Sequence, residues 1–138
     1  NDGRTLISEV VGALVLASSA PAILLAADRV PLLAGLAWGV MALRIIPSIL
    51  YVRARLRWIH GKPVRREVSL ILHALAVGVG GILWGIGLTN AAILIAAGVL
   101  LARAIYGLYF SPPVAARVVG FQEVFFGIVY AVVCAFAF

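Results

Sequence analysis

Five apolar runs of about twenty residues each, separated by short polar breaks, decide what this chain can fold into. Water cannot hydrogen-bond a backbone inside lipid, so runs of this length and composition cross a bilayer as helices. The spans read as about 6–27, 32–52, 68–88, 91–110 and 118–138. At 1.5 Å per residue each crosses roughly 30 Å. Strands are excluded because the runs do not alternate apolar and polar residues, and a barrel strand needs only about ten residues. The expected fold is therefore all-α: a polytopic transmembrane helical bundle forming one domain. Composition agrees, since 64% of the 138 residues are hydrophobic and 12% are charged. A soluble domain has about 45–50% apolar and about 25% charged residues, so a water-soluble enzyme and a disordered chain are both excluded.

The breaks are specific. Asp28-Arg29-Val30-Pro31 ends the first span, and Ser111-Pro112-Pro113 ends the fourth, because proline lacks an N–H and clashes with the preceding turn. Thr89-Asn90 reads as a tight turn. Between the second and third spans lies a basic stretch holding Arg53, Arg55, Arg57, Lys62, Arg65 and Arg66, with His60 as a plain loop residue. These residues account for much of the formal net charge of +6, so lipid headgroups explain the charge better than nucleic acid. Arg4 and Arg117 fall on the same side as this loop, while the opposite side has only Arg29. The positive-inside rule then places segment 53–67 in the cytoplasm and the carboxyl terminus outside. The single cysteine, Cys134, excludes an intrachain disulfide and the usual multi-cysteine metal sites. The chain starts at Asn1 without methionine and has an odd number of spans, so it is expected to be processed or part of a longer polypeptide.

Five ionisable residues fall inside apolar runs: Glu9, Arg44, His73, Arg103 and Glu123. Each costs several kcal/mol unless paired, hydrated or snorkelling. Arg44 is about 13 Å from the loop edge at Arg53. The same measure places all five in the cytoplasmic half. Helical spacing sets Arg44, Ser48, Tyr51, Arg55 and Trp58 on one stripe of the second span, with Pro47 as an expected kink point. Arg66, Ser69, His73, Gly80 and Trp84 share a face of the third span. On the fourth, Arg103 lies beside Tyr106, Gly107 and Phe110; on the fifth, Gly120, Glu123, Gly127, Tyr130 and Cys134 share a face.

Three readings of this pattern stand side by side. Buried Arg–Glu pairs can be glue between helices. The polar residues can form a pocket for an anionic headgroup or diphosphate, with arginine forks matching phosphate oxygens. They can also line a proton or ion path, in which only His73, Glu9 and Glu123 would relay because arginine keeps its proton. In the pocket reading Arg44, Arg55 and Arg103 neutralise the headgroup, Glu9, Glu123 and His73 orient them, and Ser48 and Tyr51 complete the lining. Arg53, Arg57, Lys62, Arg65 and Arg66 then form a basic surface for acidic lipid. Gly78, Gly81 and Gly85 offer a small-residue face, with Gly81 and Gly85 as a GxxxG pair for helix packing. Trp38, Trp58 and Trp84 fit interfacial or packing positions. No metal site, haem or quinone motif is identifiable.

The stretch Pro47-Ser-Ile-Leu-Tyr-Val-Arg-Ala-Arg-Leu-Arg57, followed by Arg117-Val-Val-Gly-Phe-Gln-Glu123 and Gly127, resembles the YwiC-like family of bacterial membrane proteins. That family is itself distantly similar to the UbiA prenyltransferase superfamily. The resemblance implies the last five helices of a roughly nine-helix bundle in a bacterial inner membrane. It implies a lipid, isoprenoid or quinone ligand near the cytoplasmic face, and an accessory role with other membrane subunits as partners. The alternatives are a structural subunit of a larger membrane complex and a divergent prenyltransferase. Prenyl transfer of the UbiA type needs aspartate-rich loops that hold magnesium and a prenyl diphosphate. Here the corresponding loop carries arginines and no aspartate; Asn1-Asp2 matches only the start of the asparagine–aspartate motif.

Overall fold

The computed structural model describes residues 2–138, with side chains from Leu6 onward. Asn1-Asp2 and Arg4 therefore lie outside the residues whose side chains can be discussed. The described chain is all-helical. Its elements are α1 (Asp2–Ala17), α2 (Ser19–Ala26), α3 (Pro31–Ile59), α4 (Arg66–Gly85), α5 (Ala91–Ile105), a π-helical turn (Tyr106–Phe110) and α6 (Ala116–Ala135). Five stretches are long and apolar enough to cross a membrane: Leu6–Ala26, Pro31–Ile59, Arg66–Gly85, Ala91–Phe110 and Ala116–Ala135.

The first span is broken into α1 and α2 at Ser18. Pro21 has no N–H for the Ala17 carbonyl, and the Ser18 and Ser19 hydroxyls donate back to the carbonyls of Leu14 (3.1 Å) and Leu16 (2.8 Å). The second span is longer than its apolar run. α3 continues through Arg53-Ala-Arg-Leu-Arg-Trp58 to Ile59, so half of the expected polar loop is helix. These residues are good helix formers, and nothing stops them until Gly61, whose φ of +65° is the left-handed turn that ends the helix. At 29 residues α3 is about 43 Å long and overshoots the bilayer core. α4 ends at Gly85, three residues before the expected edge, because Gly87 turns the chain with φ +75°. Asn90 is the N-cap of α5 and accepts from the Ala92 N–H at 2.9 Å.

α3 is the axis. α4 packs on it and on α5, α6 packs on it and on α5, and α1 and α2 pack on it from the other side. One core cluster joins Val40, Ile93, Leu100, Tyr130 and Ala137; a second joins Tyr51, Ala54, Ala104 and Leu108. The close approach of α4 to α5 runs through Gly80, where a Cβ would lie 3.5 Å from the Leu94 Cα. The expected face of Gly78, Gly81 and Gly85 is not the contact. Gly78 and Gly85 have nothing within 4 Å of a Cβ, and Gly81 meets only a Leu94 methyl. Trp84, expected on the face of His73, is exposed. Large apolar side chains such as Ile71, Leu75, Ile95, Phe121 and Phe125 point outward, as lipid requires.

Candidate functional site

Glu123 of α6 is the meeting point of two arginines. Arg103 of α5 donates from Nη2 to its Oε1. Arg44 of α3 reaches its Oε2 at 3.5 Å and its backbone carbonyl at 3.0 Å. One carboxylate thus serves two guanidinium groups, and the cluster keeps a formal charge of +1. The Arg103 guanidinium lies over the rings of Tyr51 (4.4 Å) and Phe126 (4.6 Å), a second source of stabilisation for a cation out of water. Gly127 makes room for Arg44, since a Cβ there would sit 2.9 Å from Nη2. The pairing expected from depth and spacing is therefore present for Arg44, Arg103 and Glu123. Phe126 as the stacking partner left no trace in the polar pattern.

Glu9 belongs to a different pair. It accepts from Arg53 at 2.9 Å, closer to the basic end of α3 and apart from Glu123. Ser8, Glu9, Gly12 and Leu16 face Arg44, Ser48, Val52 and Arg53 across an open hollow of about 700 Å³, closed on its third side by Glu123, Val124 and Gly127. Next to it, Glu9, Arg53, Arg57, His60 and Lys62 form a smaller basic recess of about 210 Å³. Glu9 and Arg53 line both, so an apolar groove opens onto a basic rim. Ser48, buried on the groove wall, has no hydrogen-bond partner for its hydroxyl, and neither has the Nε of Arg44.

Arg55 stands elsewhere. Its side chain is 1% exposed and faces α5, not the groove. It donates to the carbonyls of Gly107, Ser111 and Pro112 and to the Ser111 hydroxyl (3.3 Å), with Trp58 at 5.2 Å. These acceptors are free because Pro112 and Pro113 stop the helix and the last turn is wide, with Ser111 N–H bonded to the Tyr106 carbonyl. Gly107 is needed here, since a Cβ would overlap the Tyr51 hydroxyl. His73 is buried between helices, with Nδ1 2.8 Å from the Ser69 carbonyl, its ring edge-on to Tyr51 and Nε2 unpartnered. Arg66 stacks over Trp58 and Tyr109. Arg57 donates to the Pro63 carbonyl at 3.0 Å, and Arg65 lines a hollow of about 630 Å³ behind the loop with Val64 and Val68. Tyr106, Phe110 and Gly120 turn outward from the faces their spacing suggested, while Tyr130 turns inward and donates to the Val40 carbonyl at 3.0 Å.

The groove therefore gathers Glu9, Arg44, Ser48, Arg53 and Glu123. It leaves Tyr51, Arg55 and His73 in the packed interior between α3, α4 and α5. Among the described residues no three His, Cys, Asp or Glu side chains come together. Both carboxylates of the groove are already held by arginines, so the donor set does not fit a magnesium-bound diphosphate.

Four helical spans around an axial fifth, with charged pairs between them, define an all-α polytopic membrane protein. No family model matches the chain, and no curated protein or solved structure matches it.

Proposed function

We propose that this membrane protein binds an anionic amphiphile, a phospholipid or an isoprenoid or quinone lipid with an acidic headgroup, in the groove between α1, α3 and α6. The carrying observation is the continuity of an apolar hollow, with Arg44 and Glu123 on its wall, with the basic recess of Arg53, Arg57, His60 and Lys62. Chains lie along apolar walls, and a phosphate or carboxylate meets the basic rim. In this reading the rim lies at the cytoplasmic face of a bacterial inner membrane, as the arginine bias favours, and the protein is an accessory factor kin to the YwiC-like family.

Native mass spectrometry from nanodiscs of mixed phosphatidylglycerol and phosphatidylethanolamine tests the reading. The wild type should retain phosphatidylglycerol. Arg57→Gln with Lys62→Gln should weaken it ~30-fold, at about 1 kcal/mol for each surface charge. Equal retention of both lipids by wild type and variant would defeat the proposal. A structural-subunit role is favoured by one observation, the 6% burial of the first span, which leaves it a wide free face.

A further inference from the structure

The groove is half of a longer feature. α1 and α2 pack on α3 from one side and α6 from another, and neither half of the first span has an extensive contact with α6. A seam is left along α3. Its first part is the hollow between Ser8–Leu16, Arg44–Leu56 and Glu123–Gly127. Its second part is a hollow of about 460 Å³ toward the other membrane face, lined by Ala20, Leu24, Leu33, Met41, Ala131 and Cys134, with Arg29 among its lining residues. The two belong to the same three walls. Where one stops the other begins within about one helical turn: Leu16 to Ala20, Arg44 to Met41, Gly127 to Ala131.

Arg44 stands at the join. It is thirteen residues from Pro31 and fifteen from Ile59, so it lies halfway along α3. A cation there is what a headgroup crossing the membrane lacks in plain lipid. The seam carries cationic side chains at three levels: Arg29 at one end, Arg44 with Glu123 in the middle, and Arg53 and Arg57 with Glu9 at the other. Ser48, 4% exposed on the groove wall and without a partner, adds a hydroxyl one turn from Arg44. Four arginines (Arg29, Arg44, Arg53, Arg57) against Glu9 and Glu123 leave these levels with a net charge of +2, which favours an acidic lipid over a zwitterionic one.

We propose that the seam moves acidic phospholipids between the two leaflets, the headgroup passing Arg44 while the chains stay in the surrounding bilayer. No bond is made or broken. This inference rests on the binding reading above, and it adds a direction of movement that binding alone does not require.

The test reconstitutes the protein in vesicles of phosphatidylethanolamine and phosphatidylglycerol containing NBD-labelled phosphatidylglycerol. Dithionite added outside bleaches label as it reaches the outer leaflet. Wild-type protein should move the label at least about tenfold faster than protein-free vesicles, a barrier change of about 1.4 kcal/mol. Ala131→Phe fills the neck beyond Gly127 and should return the rate to the protein-free level, with phosphatidylglycerol still retained at the basic end in native mass spectra. Ala74→Phe adds the same bulk on the lipid-facing side of α4 and should leave the rate unchanged. Retention of lipid by a wild type that moves none of it would overturn translocation and leave the binding reading intact. Loss of both would overturn both. An Ala131→Phe protein as fast as wild type would show that lipid travels elsewhere. Efficient disulfide dimers from Ala131→Cys on a Cys134→Ala background, in a protein that moves no label, would mean that a second copy fills the seam, and would also overturn the inference.

Discussion

The two sides of α3 are built to different rules. On one side α4 and α5 close over small residues, and a third of the fourth span is buried (33%); on the other, the first span has 6% of its residues buried. The packed side holds its polar groups as internal ties: Arg55 to the wide turn of α5, His73 to its own helix, Tyr51 against Gly107. The open side sets them along a hollow, where Glu9 and Arg53 reach the surface. α6 belongs to both, bound to the packed side through Arg103 and facing the open side through Gly127. The same residue types thus do different work according to whether a neighbouring helix or lipid covers them.

The largest expected effect comes from cutting the tie between the sides. Glu123→Ala leaves Arg44 and Arg103 facing each other without a counter-charge and should cost about 3–5 kcal/mol. It would be seen as a large fall in Tm in detergent. Replacing Arg44 and Arg103 by methionine in the same chain should recover much of the loss, whereas strictly additive losses would show that the three residues do not form a unit.

Next comes a pair of glycines, one on each side. Gly107→Ala forces a Cβ into the Tyr51 ring and should cost about 1–3 kcal/mol. Gly12→Ala meets nothing within 4 Å and should stabilise α1 by roughly 0.5–1 kcal/mol through helix propensity. Thermal shifts of equal sign for the two variants would erase the distinction between the sides.

A smaller loss, about 0.5–2 kcal/mol, is expected for Asn90→Ala. Asn90 caps α5, and its amide also donates to the Phe136 carbonyl at 2.9 Å. Faster hydrogen exchange should appear at the ends of α5 and α6 only. The smallest effect should be that of Ser48→Ala. A hydroxyl with no partner contributes no hydrogen bond, so stability should change by less than about 0.5 kcal/mol in either direction. A drop well beyond that would place Ser48 with the internal ties of the packed side.

The five spans were legible from apolar run length alone, because lipid tolerates only helices of that length. Pairing of Arg44 and Arg103 with Glu123 was legible too, since depth and helical spacing brought them to one level. Glu9 was not separable from that group, because depth says nothing about which helix is adjacent, and Arg53 proved nearer. The role of Arg55 was hidden. Its acceptors are carbonyls freed by a wide turn, and a backbone irregularity leaves no mark in side-chain periodicity. Pro21, by contrast, carried a signal for the break at Ser18 that run length overrode.

Arg55 has a consequence for the electric field at the basic end of the molecule. The last turn of a helix carries roughly half a negative elementary charge from its unpaired carbonyls. Arg55 sits against those of the fourth span, at Gly107, Ser111 and Pro112, so much of its charge is cancelled at source. Arg53 is offset by Glu9. Two of the six cations between Arg53 and Glu67 are thus offset where they stand. A lipid headgroup or a translocating chain responds to potential and not to composition. The effective charge of this face is therefore lower than the six cations that the sequence counts.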